Sequence, residues 1–137
     1  MTKEELVSLA MEAMTHAYVP YSGYKVGAAL LTSDGRVYQG CNIENASYTP
    51  TVCAERTAFF KAVYDGVREF SAIAVVGGKN GEITGFFPPC GVCRQVMREF
   101  CGDDFTVHFG GANGEIMTLT LKDILPYSSS ASEYMQD

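Results

Sequence analysis

Residues 70–78 read FSAIAVVGG, an apolar run of strand length with almost no polar interruption. A strand with one face in water alternates polar and apolar side chains. This one does not, so both of its faces must be covered. It is flanked by two segments of helical character, CAERTAFFKAVYDG from Cys53 and CGVCRQVMREFC from Cys90, and the second leads into another strand-like stretch, FTVHFGG. A strand, helix, strand unit from Phe70 to Phe109 takes a right-handed crossover with its strands parallel.

The rest of the chain fits around that unit. TKEELVSLAMEAMTHAYV pairs Thr2 with Glu5 as a capping box, and Leu6, Leu9, Ala10, Ala13, Met14 and Ala17 recur at helical spacing. This predicts a helix from about Thr2 to Tyr18, ended before Pro20, with His16 near its dipole-favoured C-terminal turn. KVGAALLT and RVYQGCNI flank Ser33-Asp34-Gly35 and read as a β-hairpin. NIENASYTPT and KNGEITGFFPP read as loops. Pro88-Pro89 open the second crossover helix and Gly102 closes it. FTVHFGG and EIMTLTL read as two strands, with His108 a strand histidine holding a hydrogen bond, and KDILP as a short helical turn. The order predicts an α/β three-layer sandwich, a mixed five-stranded sheet with helices on both faces. One domain is expected over residues 1–128, followed by a polar tail over 129–137.

Composition narrows the function. With 137 residues and 47% hydrophobic content, the chain can bury a core without disulfides. Its net charge of -6 gives no electrostatic help toward phosphate backbones or anionic membranes, so neither nucleic acid nor membrane is an expected partner. A small neutral or weakly charged ligand suits it better. No apolar run reaches bilayer-spanning length. The start MTKEELVSLAMEAM carries charge where a signal peptide needs an apolar core, so a cytoplasmic location is expected. In that reducing compartment the five cysteines stay reduced, and clustered ones are metal ligands or reactive thiols.

Cys53, Cys90 and Cys93 each fall at or near the start of a predicted helix. A helix N-terminus carries about half a positive charge, which favours thiolate, the form that binds zinc. Neighbouring crossover helices begin at one sheet edge, so the topology can bring the three together. Three protein ligands leave one tetrahedral position for water, whereas a closed structural site uses four. Of the fourth-ligand candidates Cys41, Cys101, His16 and His108, Cys101 lies at the far end of its helix, while Cys41 stays open on spacing alone. The open site is the favoured reading. Glu55 is rotated roughly 200° from Cys53 along the helix, so it is not a further ligand but can handle protons over the open position. Bound zinc lowers the pKa of its water to about 7 in favourable sites. Zinc with three thiolates sums to a charge of about -1, and Arg56 is expected to donate to the sulfurs and withdraw some of it. The plainer alternative is that both arginines face solvent, an expectation that suits Arg94 better than Arg56.

A lone C-x-x-C is a weak signal and also suits a redox pair. C-A-E upstream of P-C-x-x-C, each opening a helix, is strong, because it matches the zinc deaminase signature in its three-cysteine form. Two rivals stand beside that reading. A non-catalytic zinc module would have a fourth protein ligand and no use for Glu55. A thiol oxidoreductase would cycle a metal-free Cys90–Cys93 pair.

From YVPYSGYKVGAALLTSDGRVYQGCNIENASYTPTVCAERTAFFKAV through PPCGVCRQV to LKDILP, the sequence resembles cytidine deaminases of the small homotetrameric type. GCNIEN, Gly40 to Asn45, stands where that family has G-x-N-I-E-N, a segment in which nucleic-acid-editing and blasticidin-type deaminases usually differ. The resemblance implies one zinc ion per chain and hydrolytic deamination of cytidine and deoxycytidine, with Glu55 moving protons to N3 and to the amino group. It implies Asn42 and Glu44 on the ribose hydroxyls, Tyr24 against the pyrimidine, Ala54 among the substrate contacts, and Tyr48 near a neighbouring subunit's site. Read as residues alone, Asn42 and Glu44 equally suit strand-end turn chemistry, and Tyr24 and Tyr48 are core or rim tyrosines. One position departs from the family. Ser129 stands where an aromatic commonly lids a neighbour's pocket, and Tyr127 lies two residues earlier. Cys41 and Cys101 are left as either inert fillers or oxidation-prone thiols, burial being the usual state.

Overall fold

The run of residues 70–78 lies in the middle strand of a five-stranded sheet, as its unbroken apolar character requires. The structure, a computed structural model, describes residues 1–130. Its elements are α1 (Lys3–Met14), β1 (Tyr24–Thr32), β2 (Val37–Cys41), α2 (Ala54–Tyr64), β3 (Phe70–Lys79), α3 (Gly91–Phe100), β4 (Thr106–Gly110), β5 (Ile116–Thr120) and α4 (Leu121–Ile124). The strand order is β2-β1-β3-β4-β5. Only the β3–β4 pair is parallel. That pair is the crossover unit expected from the sequence.

Two cores fill the layers. Leu6, Val7, Ala10 and Met14 of α1 pack on Ala29, Ala74 and Val76. On the opposite face, Ala58, Phe59 and Ala62 of α2 and Met97 of α3 pack on Ala28, Leu30, Ile73, Val75 and Val107. Alternate residues of β1 and β3 thus face opposite helix layers, which is the period-2 rule of a strand buried on both sides. Phe59 sits at the centre of the second core, with its ring 5.1 Å from Phe70 and 6.1 Å from both Phe100 and Phe105. Among the described residues no helix is long and apolar enough to cross a membrane.

Chain direction is what places the site. β2 and β3 are each antiparallel to β1, so they run the same way. The helices that follow them, α2 and α3, therefore start at the same edge of the sheet and lie on the same face.

Several boundaries differ from the sequence reading. α1 stops at Met14 rather than Tyr18, with Thr15 as its C-cap. The Tyr18 N–H is needed elsewhere: it donates to the Asn42 carbonyl at 3.0 Å, and Glu44 N–H returns a bond to the Tyr18 carbonyl at 2.9 Å. β2 ends at Cys41, and residues 42–44 continue extended but leave the sheet, Ile43 bridging to Tyr18 and Val52. At the other end, Leu121 is the first residue of α4 rather than the last of β5, because Thr120 and Asp123 form a capping box. T-L-K-D carried that signal in the sequence. Of the expected tail, residues 131–137 lie outside the described residues.

Helix α2 approaches the sheet at Gly40 so closely that a Cβ there would stand 2.3 Å from the Ala54 carbonyl oxygen and 2.6 Å from Ala58 N. Both neighbours are backbone, so neither can swing aside. Gly40→Ala is expected to destabilise the fold by about 1–3 kcal/mol or more through overpacking. Calorimetric melting should show a Tm lower by several degrees; an unchanged Tm would contradict this packing.

Candidate active site

Cys53 and Cys90 occupy equivalent positions, each the N-cap residue of its helix, α2 and α3. A residue in extended conformation at the N-cap aims its side chain toward the unpaired N–H groups of the first turn. Cys90 Sγ accepts from Cys93 N–H at 3.4 Å, whereas Cys53 makes no cap hydrogen bond of this kind. Cys93 follows one turn into α3 and is buried. The ligand atoms of Cys53, Cys90 and Cys93 all lie within 4.8 Å of one another, with Cys53 Sγ and Cys90 Sγ 3.6 Å apart. Two sulfurs at about 2.3 Å from one tetrahedral zinc ion stand roughly 3.8 Å from each other, so the trio fits that ion.

Among the described residues, no other group of three potential ligands gathers in this way. Cys41 and Cys101 stay outside the trio, both with thiols pushed up by burial, Cys101 to about 12. His108 pairs Nδ1 with Thr118 Oγ1 at 2.8 Å on the sheet. His16 lines a separate cavity of 270 Å³ with Gln39 and Lys61.

The electrostatics suit a cation held among the sulfurs. Contact with Cys93 lowers the Cys53 thiol to about 5 against the opposing effect of burial, and Arg56 and Cys90 lower it further. Cys93 moves the other way, raised by that same contact with Cys53 and by burial. One sulfur ionises and its neighbour keeps the proton, because adjacent anions repel in a partly buried site. A divalent ion removes that conflict and lets all three ionise.

Arg56 Nη2 donates to Cys53 Sγ at 3.3 Å. Burial pushes its guanidinium down, but the Cys53 and Cys93 sulfurs outweigh that and hold it above its ordinary value. Arg94 differs from its expected place in solvent. Its Nε donates to the Pro89 carbonyl and its Nη1 to the Ile124 carbonyl, both at 2.8 Å. It ties the proline turn before α3 to α4, a long-range contact that no local pattern announces.

Glu55 is 3% exposed, and its Oε1 is buried without a hydrogen-bond partner. Burial raises its carboxyl to about 7, the nearby Cys53 adding to the shift and Arg56 opposing it. A buried carboxylate oxygen left unpaired is costly, so its retention points to a ligand that completes it. No local pattern in the sequence marks Thr57. Its Oγ1 lies 3.0 Å from the Cys41 carbonyl and 3.3 Å from the Cys53 carbonyl, joining the end of β2 to the first turn of α2.

Asn42 and Glu44 lie two apart on the extended segment, so they share a side while Ile43 faces the other way. Asn42 Oδ1 accepts from Val26 N–H at 2.9 Å and its Nδ2 donates to the Tyr24 carbonyl at 2.8 Å. Glu44 accepts from Tyr21 and Ser22. Tyr24 is exposed and its ring lies 6.4 Å from that of Phe87. Ala54 is fully buried, and Tyr48 is 76% exposed with a positive φ of 60°. Tyr127 and Ser128 line a cavity with Arg98 and Cys101, toward the end of α3 opposite the sulfurs.

Together the fold and the sulfur trio define an α/β protein built to hold a metal ion at one sheet edge. A family model described as the cytidine and deoxycytidylate deaminase zinc-binding region matches residues 1–109. The chain belongs to this family. It is 49% identical over 133 residues to a cytidine deaminase of Sporosarcina psychrophila, covering 97% of this chain and 95% of that one. A cytidine deaminase from Burkholderia pseudomallei, solved as a crystal structure, is similar with a TM-score of 0.87 and 47% identity, covering 94% of this chain and all of that one. A blasticidin-S deaminase of Bacillus cereus is more distant, 30% identical over 126 residues and covering 89% of this chain and 88% of that one.

Removing one of three sulfurs should leave too few ligands to retain the metal. Cys90→Ala is expected to lower zinc content well below one equivalent per chain by elemental analysis, since binding needs the full set of thiolates. Full stoichiometry in that variant would remove Cys90 from the site.

Proposed function

We propose that this protein catalyses zinc-dependent hydrolytic deamination of cytidine and deoxycytidine to uridine and deoxyuridine, with release of ammonia, as a step of pyrimidine salvage. In this reading each chain holds one zinc ion, and the enzyme is a cytoplasmic homotetramer whose sites are shared between chains. The observation that carries it is a buried carboxyl group, one of whose oxygens, Glu55 Oε1, has no partner, beside three converging sulfurs.

Cys53, Cys90 and Cys93 would hold the ion, which when bound supplies Lewis-acid activation of water. Glu55 does the proton work. With a carboxyl at about 7 it can both take and give a proton near neutral pH. It takes the proton of the incoming water and delivers it to N3 of the pyrimidine, which makes C4 electrophilic. The water oxygen bonds to C4 and still carries its second proton; Glu55 takes that proton and passes it to the exocyclic nitrogen, the C4–N bond breaks, ammonia departs and a C4 carbonyl remains. Arg56 draws charge from the Cys53 sulfur, so that three thiolates do not quench the site's acidity.

Glu44 and Asn42 would bind the ribose. Hydrogen bonds from Ser22 hold Glu44 below the usual carboxylate range, so it is an acceptor for sugar hydroxyls. Each end of the Asn42 amide uses one bond within the chain, which leaves one donor and one acceptor for substrate. Tyr24 would lie against the base, Ala54 would add a contact, and Tyr48 would serve a neighbouring subunit's site. The absence of an aromatic at Ser129 would weaken stacking from a neighbour's C-terminal segment.

Glu55→Gln should keep zinc yet lose turnover by more than the roughly ten-thousandfold upper range of a single acid-base group, because one carboxylate makes every transfer. Loss of ultraviolet absorbance on adding cytidine, run beside metal analysis, reads both. Activity persisting in that variant would contradict the role. A zinc-loaded wild-type enzyme inert toward cytidine would point to a structural metal module. A metal-free protein with a reversible Cys90–Cys93 disulfide would point to thiol redox chemistry.

A further inference from the structure

Ser22 lies in the turn between α1 and β1, and no step of the proposed reaction uses it. Its hydroxyl is nonetheless committed twice, donating to Glu44 Oε2 at 2.5 Å and accepting from Tyr24 N–H at 3.0 Å. The other carboxylate oxygen, Glu44 Oε1, accepts from the backbone N–H groups of Tyr21 at 3.0 Å and Ser22 at 3.1 Å. Two adjacent residues thus grip both oxygens of one carboxylate that lies 22 positions away from Ser22. The turn itself is held from a third direction. Lys79 Nζ donates to the Ser22 carbonyl at 2.6 Å and sits 5.1 Å from the Tyr24 ring centroid.

A carboxylate has roughly four acceptor sites, and among the described residues only Ser22 Oγ donates to Oε2. The grip therefore fixes Glu44 while leaving acceptor capacity on the oxygen that faces Ser22 Oγ. Without the hydroxyl, the Glu44 side chain would lose its hold at Oε2, and Tyr24 N–H would lose its acceptor.

We propose that Ser22 is a positioning residue for sugar recognition: its hydroxyl locks the Glu44 rotamer so that the unused lone pairs meet the ribose diol. This rests on the reading of Glu44 as a ribose contact. Ser22 touches no reacting atom, so its effect should fall on binding of the sugar and not on the chemical step.

The test uses the full-length, zinc-loaded enzyme and competitive inhibition of cytidine turnover by uridine and by 2′,3′-dideoxyuridine, which lacks the diol. Ser22→Ala is expected to weaken uridine about tenfold while leaving dideoxyuridine and kcat within about twofold, the scale of one lost hydrogen bond to a charged group. Ser22→Thr, which keeps the hydroxyl, should restore uridine inhibition. Ser22→Cys keeps the volume with a weak donor and provides the same comparison if Ser22→Ala does not fold. Equal weakening of both inhibitors would overturn the proposal, since a general distortion of the turn would not distinguish them. If Glu44→Ala weakens uridine and Ser22→Ala does not, the Ser22 role alone is wrong. If Glu44→Ala leaves uridine unchanged, the ribose assignment falls and the role of Ser22 falls with it.

Discussion

Three sulfurs packed within 4.8 Å of one another cannot all ionise without a cation among them. The contact between Cys53 and Cys93 splits their protonation, driving Cys53 toward thiolate and Cys93 away from it, with burial adding to the rise at Cys93 and opposing the fall at Cys53. The surroundings lean toward the anion all the same. Two helix N-termini and the Arg56 guanidinium converge on the cluster, each favouring negative charge. Such a site suits a soft divalent ion. Glu55 repeats this logic on a single side chain, because a buried carboxyl with an unpaired oxygen makes sense where a ligand will supply the missing partner.

The sheet delivers the sulfurs by its chain direction and not by proximity in sequence. Because β2 and β3 both oppose β1, the two helices after them open at one edge. The close seat of α2 on β2 at Gly40 then sets where Cys53 stands, and the Thr57 hydroxyl ties that strand end to the first helical turn. Arg94 performs the matching task for α3 by joining its entry turn to α4. The three sulfurs are thus carried on rigid elements, as a tetrahedral metal site requires.

The segment 42–44 follows a different principle. It leaves the sheet, yet it is pinned by Tyr18 on one side and Val52 on the other, so Asn42 and Glu44 point from a stiff extended strand and not from a loose loop. This pinning also accounts for the early end of α1, whose next turn would have consumed the Tyr18 N–H that Asn42 requires. Helical periodicity alone extends that helix to Tyr18, because the competing partner lies on a distant segment.

The sequence by itself determined the architecture and the chemical class. An unbroken apolar strand between two helical segments requires a covered sheet, and cysteines at helix starts with an acid two residues on point to a metal and a proton carrier, since these signals depend on local spacing. Only the tertiary structure decided which cysteines meet. Cys41 remained eligible on spacing, yet it stays outside the trio. The same holds for Arg94, expected in solvent but holding two carbonyls, and for the Ser22 grip on Glu44. Each of these depends on residues far apart in the chain, and what brings them together is the strand order and the depth of helix packing, which no short stretch of sequence encodes.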